Sequence, residues 1–124
     1  MKKIATEKAP GAIGPYSQGY MANGLVITSG QLPVDPATGE MPDGIAVQAE
    51  QSCKNVGAIL AAAGIDFANV IKTTCFLADM NDFVPFNEEY SKSFGDIRPA
   101  RSAVEVAALP KGALVEVEVI AYVG

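Results

Sequence analysis

The stretch from Pro99 to Ala121, PARSAVEVAALPKGALVEVEVIA, constrains the fold more than any other part of the chain. Apolar and polar residues alternate in both halves, and a period of two puts successive side chains on opposite faces of a strand. The halves read as two strands joined by Leu109-Pro110-Lys111-Gly112. If they pair as an antiparallel hairpin with Val104 and Val106 on the core face beside Val115, Val117 and Val119, one consequence follows from register. Arg101 and Glu105 then share the second face with Glu116 and Glu118. That face also carries Leu114, Ile120 and Tyr122. Apolar residues among charges want cover, so a second layer or a partner subunit is expected over it.

The chain has 124 residues, 49% of them hydrophobic and 19% charged. That is enough for one domain with a real core and too little for two, so residues 1–124 are read as a single domain. No apolar run approaches the roughly 20 residues that span a bilayer. Two lysines at the start lack an apolar stretch behind them and do not make a signal peptide. No membrane and a cytoplasmic location are the expectations. A net charge of −5 with scattered basic residues argues against a nucleic-acid partner.

There is no histidine, which removes Ser-His-Asp and Cys-His catalysis and leaves no usual zinc site, so no metal is expected. Cys53 and Cys75 are too far apart for CxxC chemistry and read as buried reduced thiols. An enzyme of this composition must work with carboxylates, arginine, hydroxyls and backbone groups.

Taken in order, residues 2–7 read as a short strand and Ala9–Pro15 as a Gly- and Pro-rich loop. Ser17–Ala22 and Leu25–Ser29 are strands around Asn23-Gly24, a strong hairpin signal. Pro33–Gly44 reads as an exposed connection. From Ile45 to Ala63 the period becomes helical, with Ala49, Cys53, Val56, Leu60 and Ala63 in one stripe and Gly64 as the stop. Val70–Leu77 is a β-branched strand. Asn81 reads as the N-cap of a second helix whose stripe is Phe83, Phe86, Tyr90 and Phe94, with Asn87 on the same face. The order predicts an α+β fold: a mostly antiparallel mixed sheet with two helices packed on one face. One helical layer leaves the other face bare, and self-association is the simplest cover.

Arg101 is the one cation on the charged face. Its planar fork suits a substrate carboxylate, a charge-assisted contact of about 1.5–3 kcal/mol. An ion pair with Glu105 or Glu118 explains it equally well. Glu116 is a candidate general base or acid, one of three glutamates between which composition does not choose. Asn87 on an apolar helix face needs a partner, either structural or a ligand. Tyr16 follows a Gly-Pro loop and either packs or caps a pocket. Ser29 and Gly30 at a strand end offer a hydroxyl and a backbone N–H.

These pieces resemble the reactive intermediate deaminase family (RidA, also called YjgF). The similarity covers essentially the whole chain. It rests on Ile13–Gln18, Thr28–Pro33, Lys72-Thr73-Thr74, Asp79–Phe83, and Asn87 with Tyr90. Its most specific part is Pro99–Ser102 through Val104-Glu105-Val106, Leu109-Pro110-Lys111 and Glu116-Val117-Glu118. The resemblance implies a chorismate-mutase-like fold and a homotrimer with clefts between subunits. It also implies hydrolysis of enamine and imine intermediates, such as 2-aminoacrylate, 2-iminopropanoate and 2-iminobutanoate, to 2-oxo acids and ammonia. Arg101 would grip the substrate carboxylate and Glu116 would activate water, with Tyr16, Ser29, Gly30 and Asn87 lining the cleft and no cofactor.

Two departures stand out. Some members carry cysteine two residues after the arginine, where this chain has Ala103, and the segment before Arg101 is shorter than in some relatives. Two further readings stay open: a non-catalytic sensor that binds 2-oxo acids or other small carboxylates, and an RNA-cleaving or chaperone-like role. The acidic charge disfavours RNA, and carboxylate binding alone needs no Glu116.

Overall fold

The computed structural model describes all 124 residues. Six strands form one sheet: β1 (Lys2–Ile4), β2 (Gly19–Ala22), β3 (Leu25–Thr28), β4 (Val70–Leu77), β5 (Ala100–Glu105) and β6 (Val115–Tyr122). Their spatial order is β1-β2-β3-β6-β4-β5. Every pairing is antiparallel except β4 with β5. Helix α1 (Ile45–Ala62) lies between β3 and β4 in the chain, and α2 (Phe83–Phe94) makes the crossover that a parallel β4–β5 pair requires. The α+β layout with a mixed sheet is the one the sequence predicts.

Local chemistry explains the boundaries. Asn23 and Gly24 both take positive φ (51° and 76°), the backbone a tight hairpin turn demands. Gly64, at φ 79°, ends α1: its N–H reaches the Ala61 carbonyl at 2.9 Å, and the Ile65 N–H reaches the Leu60 carbonyl at 3.1 Å. That double bond satisfies carbonyls that the helix end would leave open. Asn81 is not the cap of α2. Asp79 accepts from the Asn81 N–H at 2.9 Å in a 3-10 turn, Met80–Asp82, and the helix proper starts at Phe83. The aspartate two residues earlier wins because its side chain folds back on the backbone as an Asx turn.

The core lies between the sheet and the helices. Val26, Val115, Val117, Val119, Cys75 and Leu77 of the sheet pack in one cluster with Ala49, Cys53, Val56, Ile59 and Leu60 of α1 and Phe86, Tyr90 and Phe94 of α2. The apolar stripes read from both helices thus meet one sheet face.

The expected β5–β6 hairpin does not form, because β4 lies between the two strands. Thr73 faces Arg101 on one side and Val119 on the other, and Cys75 faces Ala103 and Val117. Arg101, Ala103 and Glu105 therefore share the helix-side face with the valines of β6. Val104, 43% exposed, shares the opposite face with Phe76 and Glu116. The reason is competition for partners. β4 and β6 are both eight residues long and each buries four residues, Val70, Thr73, Cys75 and Leu77 in β4 and every second residue in β6, whereas β5 is exposed along most of its length. Two half-buried strands pair with each other, and β5 takes the outer edge of β4.

Candidate active site

Four of the predicted site residues converge on one side of the sheet. Tyr16, Ser29, Gly30 and Glu116 line a cleft of about 810 Å³, with Lys111 and Glu118 also at its wall. The chain after β3 is drawn against β6 by a two-way bridge: the Gln31 N–H donates to the Val117 carbonyl at 2.8 Å, and the Val117 N–H returns a bond at 3.2 Å. This lays Gly30 under the Glu116 side chain. A Cβ at residue 30 would stand 2.2 Å from Glu116 Oε2, so the carboxylate occupies the space that glycine leaves. The Gly30 N–H has no acceptor within the chain. Ser29 Oγ donates to the Ser17 carbonyl, which leaves its lone pairs for a ligand.

Burial, and then the negative charge of Glu118, push the Glu116 carboxyl above its ordinary pKa. Both effects disfavour a second negative charge in a confined place.

Tyr16 stands at the rim, 53% exposed, on a loop whose root is fastened by Gln18. The Gln18 amide accepts from the Thr6 N–H at 2.7 Å and donates to the Thr6, Ala9 and Pro10 carbonyls at 3.0, 3.3 and 2.8 Å. A smaller hollow of about 510 Å³ beside β1 shares Tyr16 but holds neither Glu116 nor Arg101.

Arg101 and Asn87 meet on the other face. Arg101 Nη1 donates to Asn87 Oδ1 at 2.7 Å. The guanidinium carbon lies 4.8 Å from the Tyr90 ring centre and 5.4 Å from that of Phe83. Neither Glu105 nor Glu118 pairs with it; the one ion pair in the chain is Lys92–Glu89 at 2.8 Å. Glu105 accepts instead from the Met80 N–H at 2.7 Å. The ion-pair explanation of Arg101 thus falls away, and most of its five donors face outward.

One chain does not bring the two groups together, since Arg101 and Glu116 project from opposite faces of the sheet. The hairpin reading had placed them on one face. Sequence reasoning also passed over Gln18 and Gln31, whose signal is a polar amide in a strand-like run, and Thr73, whose hydroxyl pairs with Tyr90 Oη at 2.7 Å. Ala103 packs toward the core beside Cys75. Burial pushes the thiols of Cys53 and Cys75 up to about 12 and about 11, so both stay protonated and unreactive. No three His, Cys, Asp or Glu side chains converge as a metal site.

The chain is 57% identical to the proposed regulator AldR of Lactococcus lactis, over 99% of this chain and 98% of that one. It is 52% identical to the 2-iminobutanoate/2-iminopropanoate deaminase of Escherichia coli K12, over 97% and 96%. Among solved structures, E. coli TdcF with bound serine superposes with a TM-score of 0.95 at 48% identity, covering 98% of each chain. Residues 6–123 match the Endoribonuclease L-PSP family, and the chain belongs to it, the family of RidA and YjgF that the sequence resembles.

Proposed function

We propose that this protein hydrolyses 2-imino acids and their enamine tautomers, 2-iminopropanoate and 2-iminobutanoate among them, to 2-oxo acids and ammonia. The observation that carries the reading is the division of labour in the geometry. A guanidinium with free donors suits the carboxylate of such a substrate, and a partly buried carboxyl beside an unpaired backbone N–H suits the hydrolysis. The activity named for the E. coli relative supports the same reaction.

The chemistry balances with water alone. A protonated imine next to a carboxylate is already electrophilic at C2. Glu116 as carboxylate takes a proton from water while the oxygen attacks C2. It returns that proton to nitrogen, the C–N bond breaks, and ammonia leaves as the C2 hydroxyl gives its proton to the Glu116 carboxylate and becomes the ketone. Burial and the Glu118 charge raise the Glu116 pKa, which makes the carboxylate a stronger base toward water and lets the same group return the proton as an acid.

The complete site in this reading is shared between copies in a homotrimer, with the β5 edge of one copy against the Glu116 side of the next. Support comes from the separation of Arg101 and Glu116 by the sheet. On the Glu116 side, Ile27, Val104, Ile120 and Tyr122 are between 37% and 54% exposed in one chain, an apolar face that wants cover. Two free cysteines accord with a cytoplasmic protein. A non-catalytic carboxylate sensor is the competing reading. Binding alone, however, gives no role to a carboxyl held over Gly30.

The test supplies 2-iminobutanoate in situ from a threonine dehydratase and follows release of 2-oxobutanoate with and without the protein. Acceleration is expected, and its absence sinks the reading. Arg101→Ala lowers kcat/KM by about 10- to 150-fold. Glu116→Gln lowers kcat by about 10²–10⁴-fold while 2-oxobutanoate still binds.

A further inference from the structure

Arg101 lies on an edge strand, and its position is over-determined by contacts that leave its outward donors free. Asn87, Tyr90 and Phe83 stand on one face of α2, four and seven residues apart. Asn87 takes a single N–H of the guanidinium, and the two rings contact its π-face and take none. The Tyr90 ring is itself fixed. It is 8% exposed, stacked on Phe94 with centroids 4.6 Å apart, and its hydroxyl pairs with Thr73 Oγ1 at 2.7 Å. Thr73 is also the register partner of Arg101 in the parallel β4–β5 ladder. A closed circuit results: backbone ladder from Arg101 to Thr73, hydroxyl pair from Thr73 to Tyr90, ring face from Tyr90 back to the guanidinium.

We propose that Tyr90, locked by Thr73, and Phe83 are positioning residues that preset the Arg101 guanidinium for a substrate carboxylate. The inference rests on the reading of Arg101 as the carboxylate-binding residue. An acidic partner at the same place would occupy the fork and neutralise it. An aromatic seat fixes the plane and leaves the charge unspent. Without the seat, the side chain keeps its full rotamer freedom on an exposed edge, and each binding event must freeze it.

The experiment measures 2-oxobutanoate affinity by calorimetry, alongside KM and kcat for the imine, in Tyr90→Phe, Tyr90→Leu and Phe83→Leu. Tyr90→Phe keeps the ring but loses the Thr73 lock and binds about 3-fold more weakly, whereas Tyr90→Leu and Phe83→Leu, which lose a ring face, bind about 3- to 30-fold more weakly. KM moves with affinity and kcat stays within about 2-fold. A merely structural role would reduce the active fraction, and with it kcat, and leave KM alone. Unchanged affinity in both leucine variants overturns the proposal. Phe83 lies outside the fully buried core, so its variant still reports if Tyr90→Leu fails to fold. Affinity for 2-oxobutanoate is read without turnover, so failure of the seat is distinguishable from failure of the deaminase reading.

Discussion

Gly30 shows how one absent methyl group places a catalytic candidate. Its φ is not in the left-handed region, so alanine fits the backbone there. What alanine displaces is the far end of the Glu116 side chain, 2.2 Å from the new Cβ. Gly30→Ala is therefore expected to keep its melting temperature within about 2 °C while kcat falls by about 10²-fold, as for loss of a positioned acid–base group. Thermal denaturation and imine turnover on one sample check this, and a stable, fully active variant removes the role of that contact. The second residue-scale expectation concerns pH. Burial and the Glu118 charge raise the Glu116 pKa, so its carboxylate form is lost on acidification at a higher pH than for an ordinary glutamate. Glu118→Gln removes one cause, and the acid limb of kcat/KM moves to lower pH. An unmoved limb means that Glu118 does not tune Glu116. For stability the sign is opposite to that of a salt-bridged carboxylate. The folded state binds the proton more tightly than the unfolded one. The stabilisation is therefore complete below the unfolded pKa and is lost as pH rises through the folded one.

At the scale of elements, the sequence was legible where the signal is local. The Asn23-Gly24 turn, the stop at Gly64, the α1 stripe and the full extent of β4 follow from neighbouring residues. It was illegible where partners compete. Alternation in β5 says that its two faces differ, but which face meets the core depends on the strand beside it. That strand is β4, about 30 residues away in the chain, rather than β6 across a short loop. One wrong neighbour inverted the parity and carried Arg101 to the wrong face. The site residues were named through the family resemblance rather than through composition, which left three glutamates tied. The aromatic seat was hidden for a different reason: Phe83 and Tyr90 satisfy a helix stripe, and a stripe reads as packing whether or not a guanidinium rests on it.

For the whole molecule, the decisive question is whether Arg101 and Glu116 act across copies. Arg101→Ala and Glu116→Gln chains, each impaired alone, are to be unfolded together in equal amounts and refolded. Sharing between copies of a trimer restores both residues to about a quarter of the sites, and light scattering should give three times the chain mass. Activity no greater than the average of the parents places the site within one chain. The strand order carries a last implication, for folding. β6 is the final strand in the chain yet sits in the middle of the sheet, between β3 and β4. Without it, the β1-β2-β3 meander and the β4-α2-β5 unit share no strand pairing, and only α1 packs against both. Each has an open edge where β6 will enter, and Val115, Val117 and Val119 are missing from the core. Closure of the core thus waits for long-range pairings, a topology that folds slowly.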